Sequence, residues 1–98
     1  MRKVAAPKPL ELLMLAAVMI LDDDAYGVTI HQKACELAGE ELTLGSVYGA
    51  LDRLEHRGLL VSWLADPTPE RGGRRKRYCR LTALGTAALR EAGAAAEP

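Results

Sequence analysis

Phenylalanine is missing from the 98 residues, and Trp63, Tyr26, Tyr48 and Tyr78 are the whole aromatic complement. The apolar volume comes instead from leucine and alanine, 16 of each, which are the strongest helix formers and make the expectation mainly helical. Cysteine is nearly absent. Cys35 and Cys79 lie far apart and match neither a disulfide framework nor a metal-ligand spacing, so no metal or other cofactor is expected and a reducing, cytoplasmic location is. No long apolar run exists either. The stretch from Leu10 to Leu21 is interrupted by Glu11, closed by Asp22-Asp23-Asp24 and not followed by a small-x-small cleavage site, which argues against a secretory signal despite Arg2, Lys3 and Lys8. It is also shorter than the about 20 residues a bilayer requires, so no membrane association is expected. The length excludes two domains. A chain this short buries only roughly 60–65% of its unfolded surface, and such domains often gain stability by oligomerising.

A basic arm over residues 1–9 ends in Pro7 and Pro9, and Pro9 suits the first turn of a helix over 10–22. That helix is apolar on nearly every face, so it needs cover from more than one side, and a partner subunit is one source. A second helix over 25–38 carries Val28, Ile30, Ala34, Leu37 and Ala38 as an approximate stripe, with Gly39 as its stop. Thr43 is a good cap for a third helix over 44–57, on which Leu44, Val47, Leu51 and Leu54 share a face; Gly58 ends it. From Leu59 the periodicity changes to that of strands, giving a hairpin over 59–81 whose tip, Asp66 to Gly73, is dense in turn formers. Thr82 caps a last helix over 83–95. The expected domain is one winged helix-turn-helix over 1–98: mainly α with a two-stranded hairpin, and first and last helices available for dimerisation.

Net charge is zero, which by itself would count against nucleic-acid binding. Its distribution reverses that reading. Residues 10–60 hold nine acids and three bases, whereas residues 71–80 hold Arg71, Arg74, Arg75, Lys76, Arg77 and Arg80 and no acid. A basic hairpin beside a helix-turn-helix lets phosphates displace counterions locally, while the acidic remainder limits non-specific adhesion. The third helix offers base readers, because Thr43, Ser46, Gly49, Ala50 and Arg53 lie off its apolar face and are mostly small enough for close approach to the major groove. Arg53 suits a guanine or a phosphate. Tyr48 reads equally as core and as a phosphate contact.

These segments resemble a known family. Tyr26-Gly27, the block from Gly45 to Leu60 with its Ser-x-x-Tyr-x-x-Leu-x-x-Leu-Glu-x-x-Gly-Leu pattern around Ser46, and Arg77 to Gly85 are similar to the PadR family of bacterial transcriptional regulators, over about residues 10–86. The resemblance implies a dimeric repressor with Ser46, Tyr48 and Arg53 on DNA from the helix and Arg74, Arg75 and Lys76 from the wing. Cys79 stands where the second member of the family's tyrosine pair, after Tyr78, would be. Dimerisation would rest on Leu12, Leu15 and Met19 of the first helix and Leu84 and Ala88 of the last.

An enzyme finds little support. His31 and His56 lack a nucleophile and an orienting third group, and the Asp triplet lacks the alternate oxygen spacing of a hard-metal loop. Cys79 in a basic strand invites a depressed pKa and oxidant sensing, but no resolving cysteine is near in sequence. Trp63 on an apolar strand reads as core more readily than as the lining of an effector pocket. Double-stranded DNA and a second copy of the chain are therefore the expected partners, with a small-molecule effector of unknown identity. The competing reading is a winged-helix module whose basic wing meets an acidic protein.

Overall fold

A computed structural model describes residues 6–65 and 76–96, with side chains through residue 93. Helix α1 spans Pro9–Leu21. Pro9 occupies its first position, where an amide N–H would have no helical partner, and the Lys8 N–H donates to Glu11 Oε1 at 3.1 Å. The helix lies against three other helices and one strand, and Met14, Leu15, Ala17 and Val18 are buried among them. The chain thus covers most of its own apolar helix. Its last turn is more open, with Met19 and Ile20 more than half exposed, and Leu10, Leu12 and Leu13 are half-buried.

A single 3-10 turn over Asp22–Asp24 leads into α2, Gly27–Ala38, which stops at Gly39 with φ 72°, a left-handed conformation glycine adopts without strain. Of the stripe expected on α2, Ile30 and Ala34 reach the core, but Val28 and Leu37 face solvent. Helix α3, Leu44–His56, begins as its sequence dictates, with Ser46 N–H donating to Thr43 Oγ1 at 3.1 Å. Its inner face is Val47, Ala50, Leu51 and Leu54, whereas Leu44 is 52% exposed and stands outside the face assigned to it.

Strand β1, Leu60–Leu64, pairs antiparallel with β2, Arg77–Leu81, placing Trp63 opposite Tyr78 and Ser62 opposite Cys79. Leu60 and Cys79 project into the core. Helix α4, Ala83–Ala96, is capped by Thr82, whose Oγ1 accepts the Gly85 N–H at 3.0 Å and donates to the Gly58 carbonyl at 2.7 Å. Gly85 is buried on the Leu59 carbonyl so closely that a Cβ would lie 1.9 Å from that oxygen, so only glycine allows α4 to dock there. Three helices, a hairpin and a closing helix form the winged helix-turn-helix plan.

Candidate nucleic-acid interface

The first turn of α3 faces outward. Thr43, Leu44, Gly45 and Ser46 are all exposed, and Thr43 Oγ1 also donates to Ser46 Oγ at 2.7 Å, so both hydroxyls sit at a helix N-terminus whose amides favour negative charge. Tyr48 is 38% exposed and is neither core nor a free hook. Its ring lies across Gly27, where a Cβ would come within 3.0 Å of the hydroxyl oxygen. Gly49 is half-buried. Ala50, expected on the outer face, is fully buried against the body; its small size serves helix packing rather than groove entry.

Arg53 does point outward, but its guanidinium is anchored. Arg53 Nε donates to Glu11 Oε2 at 3.1 Å and Arg57 Nη1 donates to Glu11 Oε1 at 2.9 Å, so one carboxylate on α1 holds two arginines of α3. Glu11 is only 2% exposed. Burial pushes its carboxyl pKa up, but the Lys8 N–H and the two guanidiniums outweigh burial and hold it below the ordinary value. The sequence offered one cue, a lone acid in an apolar helix; its partners stand 42 and 46 positions away.

The hairpin is tied to the same helix with the charges reversed. Arg77 donates through Nη1 to Asp52 Oδ1 at 3.0 Å, through Nη2 to Glu55 Oε1 at 2.6 Å and through Nε to Ser62 Oγ at 3.1 Å. Ser62 in turn donates to Glu55 Oε1 at 2.7 Å. These donors keep the Glu55 carboxyl below its usual range. Arg77 was expected to project from the wing toward DNA; it is instead half-buried and spent on α3. Lys76, the next residue toward the tip, is exposed, with Nζ 4.5 Å from the Tyr26 ring centroid. Arg71, Arg74 and Arg75 lie outside the described residues. On the hairpin's outer side Tyr26, Tyr78 and Trp63 form a row, with centroids 5.4 and 6.1 Å apart, and Arg80 pairs with Asp23 at 3.2 Å. Trp63 is 46% exposed and so is not the core residue expected.

Comparison with known proteins decides the family. The model of the transcriptional regulator PadR-like family matches residues 15–91. The chain belongs to that family. Among solved structures, a PadR family regulator from Clostridium difficile is 26% identical with a TM-score of 0.70, covering 90% of this chain and 86% of its own. One from Eggerthella lenta is 28% identical with a TM-score of 0.64, over 86% of this chain and 70% of that one. The Aeropyrum pernix Orc1 protein in complex with DNA shares 26% identity and a TM-score of 0.67 over 86% of this chain, which spans 24% of that protein. No curated protein matches in sequence.

PadR-like proteins are transcription regulators rather than enzymes, and this member is accordingly a DNA-binding regulator. Among the described residues no helix is long and apolar enough to cross a membrane, and no group of three or more potential ligands could hold a metal. The thiol of Cys79 does not have the depressed pKa its basic strand suggested. Burial raises it to about 11, outweighing the pull of Arg77. Of the residues expected to dimerise this PadR-like chain, Leu15 is corrected: it is fully buried in the chain's own core and unavailable to a partner. Leu12 and Ala88 are half-buried, and Met19 and Leu84 are exposed.

Proposed function

We propose that this protein is a cytoplasmic repressor that binds an inverted-repeat operator as a homodimer, with the N-terminal turns of α3 in the major groove and the basic hairpin tip on flanking phosphates. The observation that carries this reading is Arg77. Two of its side-chain hydrogen bonds, to Asp52 and Glu55, join the hairpin to α3, and the third braces Ser62 within the hairpin. The exposed first turn of the helix and Lys76, at the base of the hairpin tip, are thereby held on one framework. Thr43, Ser46, Tyr48, Gly49 and Arg53 are the helix residues proposed to meet DNA, and Arg71, Arg74, Arg75 and Lys76 those of the wing. Two copies would meet through the open end of α1 and the outer side of α4, where Met19, Ile20 and Leu84 leave apolar surface in water. Two-fold symmetry then presents two reading helices about one turn, roughly 34 Å, apart.

Selection from random duplexes followed by a mobility-shift titration across salt tests the reading. Binding to the selected duplex should weaken linearly in log–log form, by about 0.9 per phosphate neutralised. Replacing Arg74, Arg75 and Lys76 by glutamine should flatten that slope. Failure to shift any duplex, together with capture of an acidic partner that depends on the same three residues, would make the wing a protein contact instead.

A further inference from the structure

Arg53 reaches solvent by a constrained route. Its Nε is committed to Glu11, its side chain is 53% exposed, and among the described residues its two terminal nitrogens have no hydrogen-bond partner. Nη1 lies over Gly49, 3.4 Å from where a Cβ would be, so the absent side chain at that position leaves the terminal nitrogens a clear lane along α3. A guanidinium held at Nε has its rotation fixed. The opposite edge, with its paired N–H groups, then matches the spacing of two phosphodiester oxygens. Arg53 also lies in the third turn of α3, beyond the N-terminal turns that read base edges in helix-turn-helix docking, and it leans toward α1 at the flank of the helix. That flank is where a groove wall, not a groove floor, would meet it.

We propose that Glu11 is a positioning residue for DNA binding: from the buried side of α1 it orients Arg53 so that the outer edge of its guanidinium clamps one backbone phosphate. The proposal rests on the DNA-binding reading above. Glu11 touches no nucleic acid in this arrangement. It sets the direction of a side chain that does, and its own negative charge is masked from the phosphate by the two guanidiniums it binds. Arg57, on the other carboxylate oxygen, keeps Glu11 from following Arg53 when the latter is drawn toward DNA.

A double-mutant cycle with Glu11→Gln and Arg53→Ala tests it, using the full chain, a duplex selected by the wild type and a scrambled duplex of the same length. Thermal melts establish that each variant is folded. Arg53→Ala should lower the salt slope by about one and weaken binding to both duplexes alike, as expected for a phosphate contact. Glu11→Gln should lower the slope in the same way, although it removes a negative charge. In the Arg53→Ala background it should change nothing further, leaving a coupling of roughly fivefold or more in affinity. Rescue by Glu11→Asp, which keeps the charge on a shorter stem, should be partial. A Glu11→Gln variant that melts earlier but binds with the wild-type slope would overturn the proposal and leave Glu11 purely structural. So would additive effects of the two substitutions. Loss confined to the selected duplex would overturn the phosphate and assign Arg53 to a base edge. Absence of wild-type binding to any duplex would instead remove the DNA reading itself.

Discussion

Helix α3 is joined to its two neighbours by ion pairs of opposite construction. Toward the body it supplies the cations, Arg53 and Arg57, and α1 supplies one buried carboxylate. Toward the wing it supplies the carboxylates, Asp52 and Glu55, and β2 supplies one half-buried cation. The two sides differ most in who can return to water. Glu11 cannot, being only 2% exposed and held on both carboxylate oxygens by guanidiniums of α3. Asp52, Glu55 and Arg77 all can, each being at least a third exposed in its side chain. The body side should therefore carry stability, and the wing side should carry position with little stability attached.

The largest effect expected from that contrast is Glu11→Ala. It leaves two arginines facing one another across an apolar hollow, and should cost roughly 3 kcal/mol, the lower end for a broken buried pair because both guanidiniums retain access to solvent. Chemical denaturation checks it. A loss under about 1 kcal/mol would erase the distinction between the two sides. Acid unfolding sharpens the same point. The carboxyls of Glu11 and Glu55 both titrate below the ordinary 4.5 when folded, so the unfolded chain binds the extra protons. Their stabilisation is complete above that value and is lost as pH falls through the folded-state values. In Glu11→Gln the acid limb of stability against pH should be shallower than in the wild type; an unchanged limb would mean that Glu11 is not the carboxylate that matters.

The next effect is smaller in stability and larger in function. Arg77→Met keeps the aliphatic stem over α3 and should cost about 1 kcal/mol or less, since Arg77 and both of its carboxylate partners reach water. Its effect on DNA should exceed this, with the salt slope falling by about one as Lys76 loses its fixed origin. Equal losses in folding and binding would show that the wing side is structural after all, and the comparison would fail there.

Much of this framework was legible in the sequence because it is local. Thr43, Gly39, Gly58 and Thr82 announce helix ends within a few residues of themselves, and the structure uses each where a start or stop is needed. Width and side were harder to read. The spacing of Leu44, Val47, Leu51 and Leu54 names a face, but spacing does not say how far along the helix its neighbours cover that face, and Leu44 in the first turn is 52% exposed. Ala50 was misplaced because small residues suit both a groove and a tight helix contact, and nothing in the chain's order tells them apart. Trp63 points to the outer side of a two-stranded sheet, where alternation gives parity but not polarity. Arg53 and Arg77 were seen as cations facing DNA; their acidic partners lie 42, 25 and 22 positions away, beyond any pattern in the sequence.

The smallest expected effect is at Arg80, and it separates ion pairs that do something from those that merely exist. Arg80 Nη2 stands 3.2 Å from Asp23 Oδ1, no farther from its partner than Arg53 is within about 0.1 Å, yet both side chains are well over half exposed. Water screens this pair and competes for each member, and holding two flexible side chains together costs entropy. Asp23→Asn should thus leave stability within about 0.5 kcal/mol of wild type at moderate salt. It should also leave binding nearly unchanged, because Arg80 keeps its place beside the Trp63 ring, 5.9 Å from the centroid, without the carboxylate. A loss as large as that of Glu11→Ala would mean that distance, not burial, sets the worth of these pairs, and the ranking of the body side above the wing side would have no physical basis.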